Sequence, residues 1–190
     1  MEGKIMSGHL DYEINKELGE CYLFMGELDK AEQYYTKAAS SNGVHADPYL
    51  GLAAIAIHRG QLDGALSMYQ KAHKVDPTDK THAGIALVLM EQGRGGDAIG
   101  HFVEALKVNP ENMVALFSLV RLGHEQNRLE EVIPHLSRYL EIDPGKSEVR
   151  YSLAGCLVCL DRKDEARAEL ERILEGNSDF EPAKELLAQL

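Results

Sequence analysis

The sequence predicts an all-α chain: a right-handed α-solenoid of five stacked helix-turn-helix units with a C-terminal capping helix. Three observations lead there. The triplets Ala31-Tyr35-Ala38, Ala65-Tyr69-Ala72, Ala98-Phe102-Ala105, Val132-Leu136-Tyr139 and Ala166-Leu170-Ile173 recur 34, 33, 34 and 34 residues apart. Within each repeat lie two amphipathic stretches whose apolar residues return at i+3 and i+4, the spacing of one helical face. Gly26, Gly60, Gly93 and Asn127 fall between those stretches at equivalent positions. Glycine and asparagine tolerate the left-handed backbone that ends a helix, so each marks a tight turn inside a hairpin.

The first stretch carries Leu18, Tyr22 and Met25, and its partner carries Leu28, Ala31, Tyr35 and Ala38. Between units the punctuation changes to Asp76-Pro77-Thr78-Asp79, Asn109-Pro110-Glu111-Asn112 and Asp143-Pro144-Gly145-Lys146, with Asn42-Gly43 serving after the first. Proline ends the preceding helix because the residue before it avoids the α region, and a following Asp or Asn caps the next. Helices are thus expected at 12–25, 28–41, 46–59, 62–75, 79–92, 95–108, 113–126, 129–142, 147–160 and 163–175. Residues 1–11 form an N-terminal extension, the array of five units runs over 12–45, 46–78, 79–112, 113–146 and 147–178, and 179–190 is the cap. The cap presents Leu186, Leu187 and Leu190 to the face that a stacked array leaves uncovered at its end.

Composition narrows the function. Twenty basic residues against 31 acidic ones give a net charge of −11. A nucleic-acid binder needs a basic stripe for phosphates, and none is visible. No window approaches 18 consecutive apolar residues, and the N-terminus lacks the apolar stretch of a signal peptide. A cytoplasmic protein is expected. Three cysteines, an odd number, make no disulfide framework.

These residues resemble the tetratricopeptide repeat family. Leu18-Gly19 and Tyr22 precede Ala31, Tyr35 and Ala38; Tyr49, Leu52 and Ala53 precede Ala65, Tyr69, Ala72 and Pro77; Ile85, Ala86 and Leu89 precede Ala98, Phe102, Ala105 and Pro110. The family signature places these residue types in this order over 34 positions. Small residues at Gly19, Ala53, Ala86 and Ala154 let helices approach, and the rings at Tyr35, Tyr69 and Phe102 fill the gaps beside them. The fourth unit departs: Gly123 stands where the family has a large residue, while Val132 and Tyr139 stand where it has alanines. Tyr139 is therefore expected to fill the space beside Gly123. Pro134, beyond the first turn of its helix, removes a backbone hydrogen bond and should bend it.

No catalytic constellation is present: no phosphate-binding GxxxxGK[ST], no HExxH and no GxSxG. Gly93-Arg94-Gly95-Gly96 is a hairpin turn. Cys156-Leu157-Val158-Cys159 lacks the second CxxC or His pair of a zinc site, and reads as small hydrophobes. The eight histidines are scattered, with no i, i+4 pair near a third ligand. The chain is expected not to be an enzyme and to need neither cofactor nor metal.

The resemblance implies a concave groove lined by the first helix of each unit. Carried over position by position, its contacts are Lys16 and Glu20; Leu50, Ala54 and Ile57; Ala83, Leu87 and Met90; Phe117, Arg121 and His124; Tyr151 and Val158. Chaperone-binding members clamp a terminal carboxylate with Lys, Asn and Arg; only Lys16 matches, and Glu20 stands where asparagine is needed. The middle of the groove is apolar, which points to a protein or peptide partner with apolar anchors. Two other readings stay open: self-assembly into a homo-oligomer, and a regulatory segment of a larger enzyme such as a glycosyl- or methyltransferase, since no leading cap precedes Tyr12.

Overall fold

The computed structural model describes residues 2–41 and 45–190, with side chains from His9 onward. Among the described residues all regular structure is helical: α1 (Glu2–Phe24), α2 (Leu28–Ser41), α3 (Asp47–His58), α4 (Leu62–Val75), α5 (Asp79–Glu91), α6 (Gly95–Val108), α7 (Met113–Glu125), α8 (Leu129–Ile142), α9 (Ser147–Cys159), α10 (Lys163–Gly176) and α11 (Glu181–Leu187). The expected bounds agree closely except at the start. There α1 begins at Glu2 rather than near Tyr12, because no proline interrupts the run before it. The punctuation expected at Asn42-Gly43 lies outside the described residues.

The chain forms two compact units, 1–105 and 106–190. In the first, α2 packs on α1 and α3, α4 packs on α3 and α5, and α1 lies beside α3. Tyr35 is its keystone. The ring is 3% exposed, and a Cβ built on Gly19 or Gly51 would approach it to 2.9 or 2.3 Å. Tyr69 repeats the arrangement one unit on, where a Cβ on Gly84 would come within 2.3 Å of the ring. The side-chain-free glycines of α1, α3 and α5 are what admit the tyrosines. Tyr12, also buried, ties α1 to α3: its hydroxyl donates to Asp47 Oδ2 at 3.3 Å and its ring stacks on His45.

In the second unit α8 packs on α7 and α9, and α10 on α9 and α11. The space at Gly123 is filled by Val132, whose Cγ2 would lie 2.5 Å from an added Cβ, and not by Tyr139 as expected from its bulk. Val132 sits closer because it is at the start of α8, beside the turn that brings α7 and α8 together; Tyr139, three residues from the helix end, is buried elsewhere. α8 runs through the exposed Pro134 without interruption. The C-terminal cap covers Ala154, Leu170 and Ile173 with Ala183, Leu186, Leu187 and Leu190.

The hairpin turns share one geometry. Gly26, Gly60 and Gly93 have φ of 76°, 70° and 75°, and Asn127 and Asp161 have 54° and 59°. At each, the following N–H reaches back to a carbonyl in the last turn of the first helix, as Gln61 to Ala56 at 2.9 Å and Arg162 to Leu157 at 2.9 Å. This pairing satisfies the carbonyls a helix end leaves bare. Asp161 performs the turn that sequence reading assigned to no residue. Just beyond it, Arg94, Arg128 and Arg162 each fork onto the carboxylate three residues later, Asp97, Glu131 or Glu165. Hydrogen bonds from Arg128 and Arg162 hold the Glu131 and Glu165 carboxyls below the usual carboxylate range.

Between hairpins, side chains cap the next helix. Asn112 accepts from Ala115 N–H at 2.9 Å. Thr78 and Thr81 exchange reciprocal bonds, Thr81 N–H to Thr78 Oγ1 at 3.3 Å and Thr78 N–H to Thr81 Oγ1 at 2.9 Å. Thr78→Ala removes one of these acceptors and should lower stability in a urea melt by about 1 kcal/mol.

Candidate protein-interaction face

The first helix of each hairpin presents residues at i, i+4 and i+7, which align along one side of a helix. In unit 1 the stripe on α3 is Leu50, Ala54 and Ile57, and that on α5 is Ala83, Leu87 and Met90. Ile57 is 40% exposed; Leu50, Ala54, Leu87 and Met90 are half-buried. Ala83 is buried, so its methyl serves packing and offers no contact surface. On α1, Glu20 is exposed and Lys16 half-buried, 3.3 Å from Glu17 and 3.7 Å from Glu13. Partial burial works against the Lys16 charge, but the Glu17 hydrogen bond and the fields of Glu13 and Glu20 outweigh it, and its pKa lies above the ordinary lysine value. Lys16 is thus already engaged by acids on its own helix.

In unit 2, α7 carries Phe117, Arg121 and His124, all exposed, with Phe117 at 37% and neighbouring Val114 at 54%. Arg121 lies 4.0 Å from Glu125. On α9, Val158 and Tyr151 are half-buried, and Tyr151 meets Phe180 edge-on at 5.8 Å as part of the cap cluster. Its ring therefore belongs to the packing of the C-terminus. Each unit also has a cleft lined by other residues: one of about 450 Å³ by Gly26, Leu28, Lys30 and Arg59, and one of about 390 Å³ by Ser147, Arg150 and Arg172.

Cys21 and Cys159 are exposed, and Cys156 is buried, its thiol pushed up to about 11 by burial and by neighbouring Cys159. Such a thiol stays protonated and unreactive near neutral pH. Among the described residues no group of three or more His, Cys, Asp or Glu is arranged to hold a metal ion, and no helix is long and apolar enough to cross a membrane.

A family model described as tetratricopeptide repeat matches residues 25–86 and 123–190, and a second model of that description matches 84–147. The chain belongs to the tetratricopeptide repeat family. Over 109 residues it is 29% identical to the BBSome complex member BBS4 of Bos taurus, a match covering 57% of this chain and 21% of that protein. The matched segment thus corresponds to about a fifth of that relative's length. Among solved structures it is similar to YrrB, described as a TPR protein with an unusual peptide-binding site, at a TM-score of 0.69 and 18% identity, covering 93% of this chain and 91% of that one. It is also similar to the MamA protein, at a TM-score of 0.70 and 17% identity, covering 88% and 92%. These likenesses show the fold, an all-α helical repeat solenoid. Tetratricopeptide repeat proteins are typically non-enzymatic protein–protein interaction scaffolds.

Sequence reading of this repeat array placed the apolar stripes on the first helices but missed Gly51 and Gly84, whose 33-residue separation parallels the 34 residues between Tyr35 and Tyr69. It also missed the contact of His73, His82 and His101, which come from three different helices.

Proposed function

We propose that the chain is an interaction module that holds a peptide or helical segment by apolar anchors along the groove-forming side of its first helices. The observation that carries this is the exposure of large apolar side chains at the stripe positions, Ile57 at 40% and Phe117 at 37%, with Val114 at 54% beside it. Apolar surface aligned along helix faces is suited to an amphipathic partner. Within each unit the flanking charges, Lys16 and Glu20 in the first and Arg121 and His124 in the second, would orient a segment held on that unit's own stripe. Two likenesses support the reading: YrrB is described as having a peptide-binding site, and BBS4 as a member of a protein complex.

Selection of a displayed peptide library on the purified chain should recover sequences with apolar residues at helical spacing. Burying a Phe-sized side chain contributes about 1.5–3 kcal/mol, so Phe117→Glu should weaken those peptides by at least about tenfold, with helical circular dichroism unchanged. Ile57→Glu repeats the test in unit 1. Equal binding by wild type and both variants would reject the stripes as the site.

A second reading is favoured by Leu10 and Ile14, which lie one helical turn apart on α1 and are 61% and 48% exposed. Self-association through this surface would raise the sedimentation coefficient with concentration, and Ile14→Glu would abolish that rise.

A further inference from the structure

Three imidazoles from three successive helices stand in one column. The His73 and His82 ring centroids are 4.4 Å apart at 68°, and those of His82 and His101 are 5.6 Å apart at 43°. His73 is on α4, His82 on α5 and His101 on α6, and all are half-buried within unit 1. His82 Nδ1 and His101 Nδ1 face each other at 3.4 Å. A hydrogen bond across that gap takes one proton, given by one ring and accepted by the other. At the far end, His73 Nδ1 lies 3.2 Å from Oγ1 of the fully buried Thr81. That hydroxyl donates to the Thr78 carbonyl at 2.9 Å and accepts the Thr78 N–H, so His73 supplies the proton of its own contact. The column is thereby joined to the box that caps α5.

We propose that the His73–His82–His101 column is an acid-sensitive latch across α4, α5 and α6: neutral rings hold the three helices together, and a second proton between the facing nitrogens releases them. Double protonation of His82 and His101 would set two N–H groups and two charges against each other in a gap sized for one hydrogen bond. His73 approaches from α4 and repels a cation on either ring. From α6, Glu104 attracts a cation on both rings, and Asp97 one on His101. Burial is the larger influence, followed by the neighbouring imidazoles, and together they lower the pKa of His82 and of His101 below the ordinary histidine value despite the two carboxylates.

The sign follows. An unfolded histidine takes its proton near pH 6.5 (roughly), whereas these two take it only at lower pH in the folded chain. The unfolded form therefore binds more protons in that window, and stability is full above about pH 6.5 and falls as pH drops through it.

The test uses the full chain. Histidine ring resonances are titrated by NMR, and amide hydrogen exchange, corrected for its intrinsic pH dependence, is compared at about pH 7.5 and about pH 5. His82 and His101 should titrate below the free-histidine midpoint. Protection of α4–α6 amides should fall at the lower pH relative to that of α9 and α10. His101→Gln, which keeps a polar side chain and removes the titration, should abolish most of that fall. If this variant does not fold, the wild-type titration decides alone. Midpoints for both rings at or above the free-histidine value, or α4–α6 protection that does not change between the two conditions, would overturn the latch.

Discussion

Tyr35→Ala should lower the stability of the first unit by about 3–5 kcal/mol, the range for truncating a buried aromatic side chain to alanine. The ring is 3% exposed and packs with Ala31 and Ile55, flanked by Tyr22, Leu23, Leu28 and Leu52. Its faces rest against Gly19 of α1 and Gly51 of α3, which have no side chains with which to refill the space. Urea denaturation followed by circular dichroism measures the loss. The sharper test is the sign of Gly51→Ala in two backgrounds. In the wild type the new methyl would meet three ring atoms at 2.3 to 2.5 Å, and Gly19 on the other side stops the ring from retreating. Overpacking of this kind costs about 1–3 kcal/mol, offset by up to about 1 kcal/mol that alanine gains over glycine inside a helix, so the net effect is destabilising. In the Tyr35→Ala background the clash is gone and only the helix term remains, so Gly51→Ala should stabilise. A substitution that changes sign with its neighbour identifies the ring–glycine contact as the source. Equal effects in both backgrounds would place the cost elsewhere.

That contact also shows what the sequence made legible. The small–large–small triplets are visible because their spacing is fixed by stacking of identical units, and a period survives drift at single positions. The hairpin turns are visible where glycine or asparagine supplies the positive φ, and hidden at Asp161, where an aspartate adopts it in a residue type common on any surface. Gly51 and Gly84 were overlooked because a glycine inside a helix weakens the helical signal; its purpose lies in a ring from another helix. Val132 filling the space at Gly123 turns on which residue of α8 lies beside the turn, and side-chain volume alone pointed to Tyr139 instead. At the interaction face, helical periodicity separates outward positions from inward ones on average. It could not tell that Ala83 is sealed or that the ring of Tyr151 is engaged by Phe180, because both depend on the neighbouring helix. The histidine column is the extreme case, since nothing in a local window relates residues on α4, α5 and α6.

The second large effect is expected in the other unit, at Arg150 and Glu169. Arg150 on α9 donates to Glu169 Oε2 on α10 at 2.5 Å and to the Pro144 carbonyl at 2.8 Å, which fastens the turn before α9 to the helix after it. The two side chains are only 13% and 14% exposed. Removing one partner from a sealed ion pair costs about 3–5 kcal/mol, because the charge that remains keeps its desolvation penalty without its compensation. This pair is partly open to water, so Glu169→Leu should cost less, about 2–3 kcal/mol. Arg172 also donates to Glu169, but it is 58% exposed and hydrates when released, so its loss contributes little. The surroundings of the pair include Leu140 and Leu153, which suit an apolar replacement. Arg150→Met combined with Glu169→Leu should therefore recover most of the stability lost by Glu169→Leu alone, measured as the urea midpoint. A double variant whose loss equals the sum of the two single losses would show no coupling between Arg150 and Glu169, and would overturn this account of the α9–α10 hairpin.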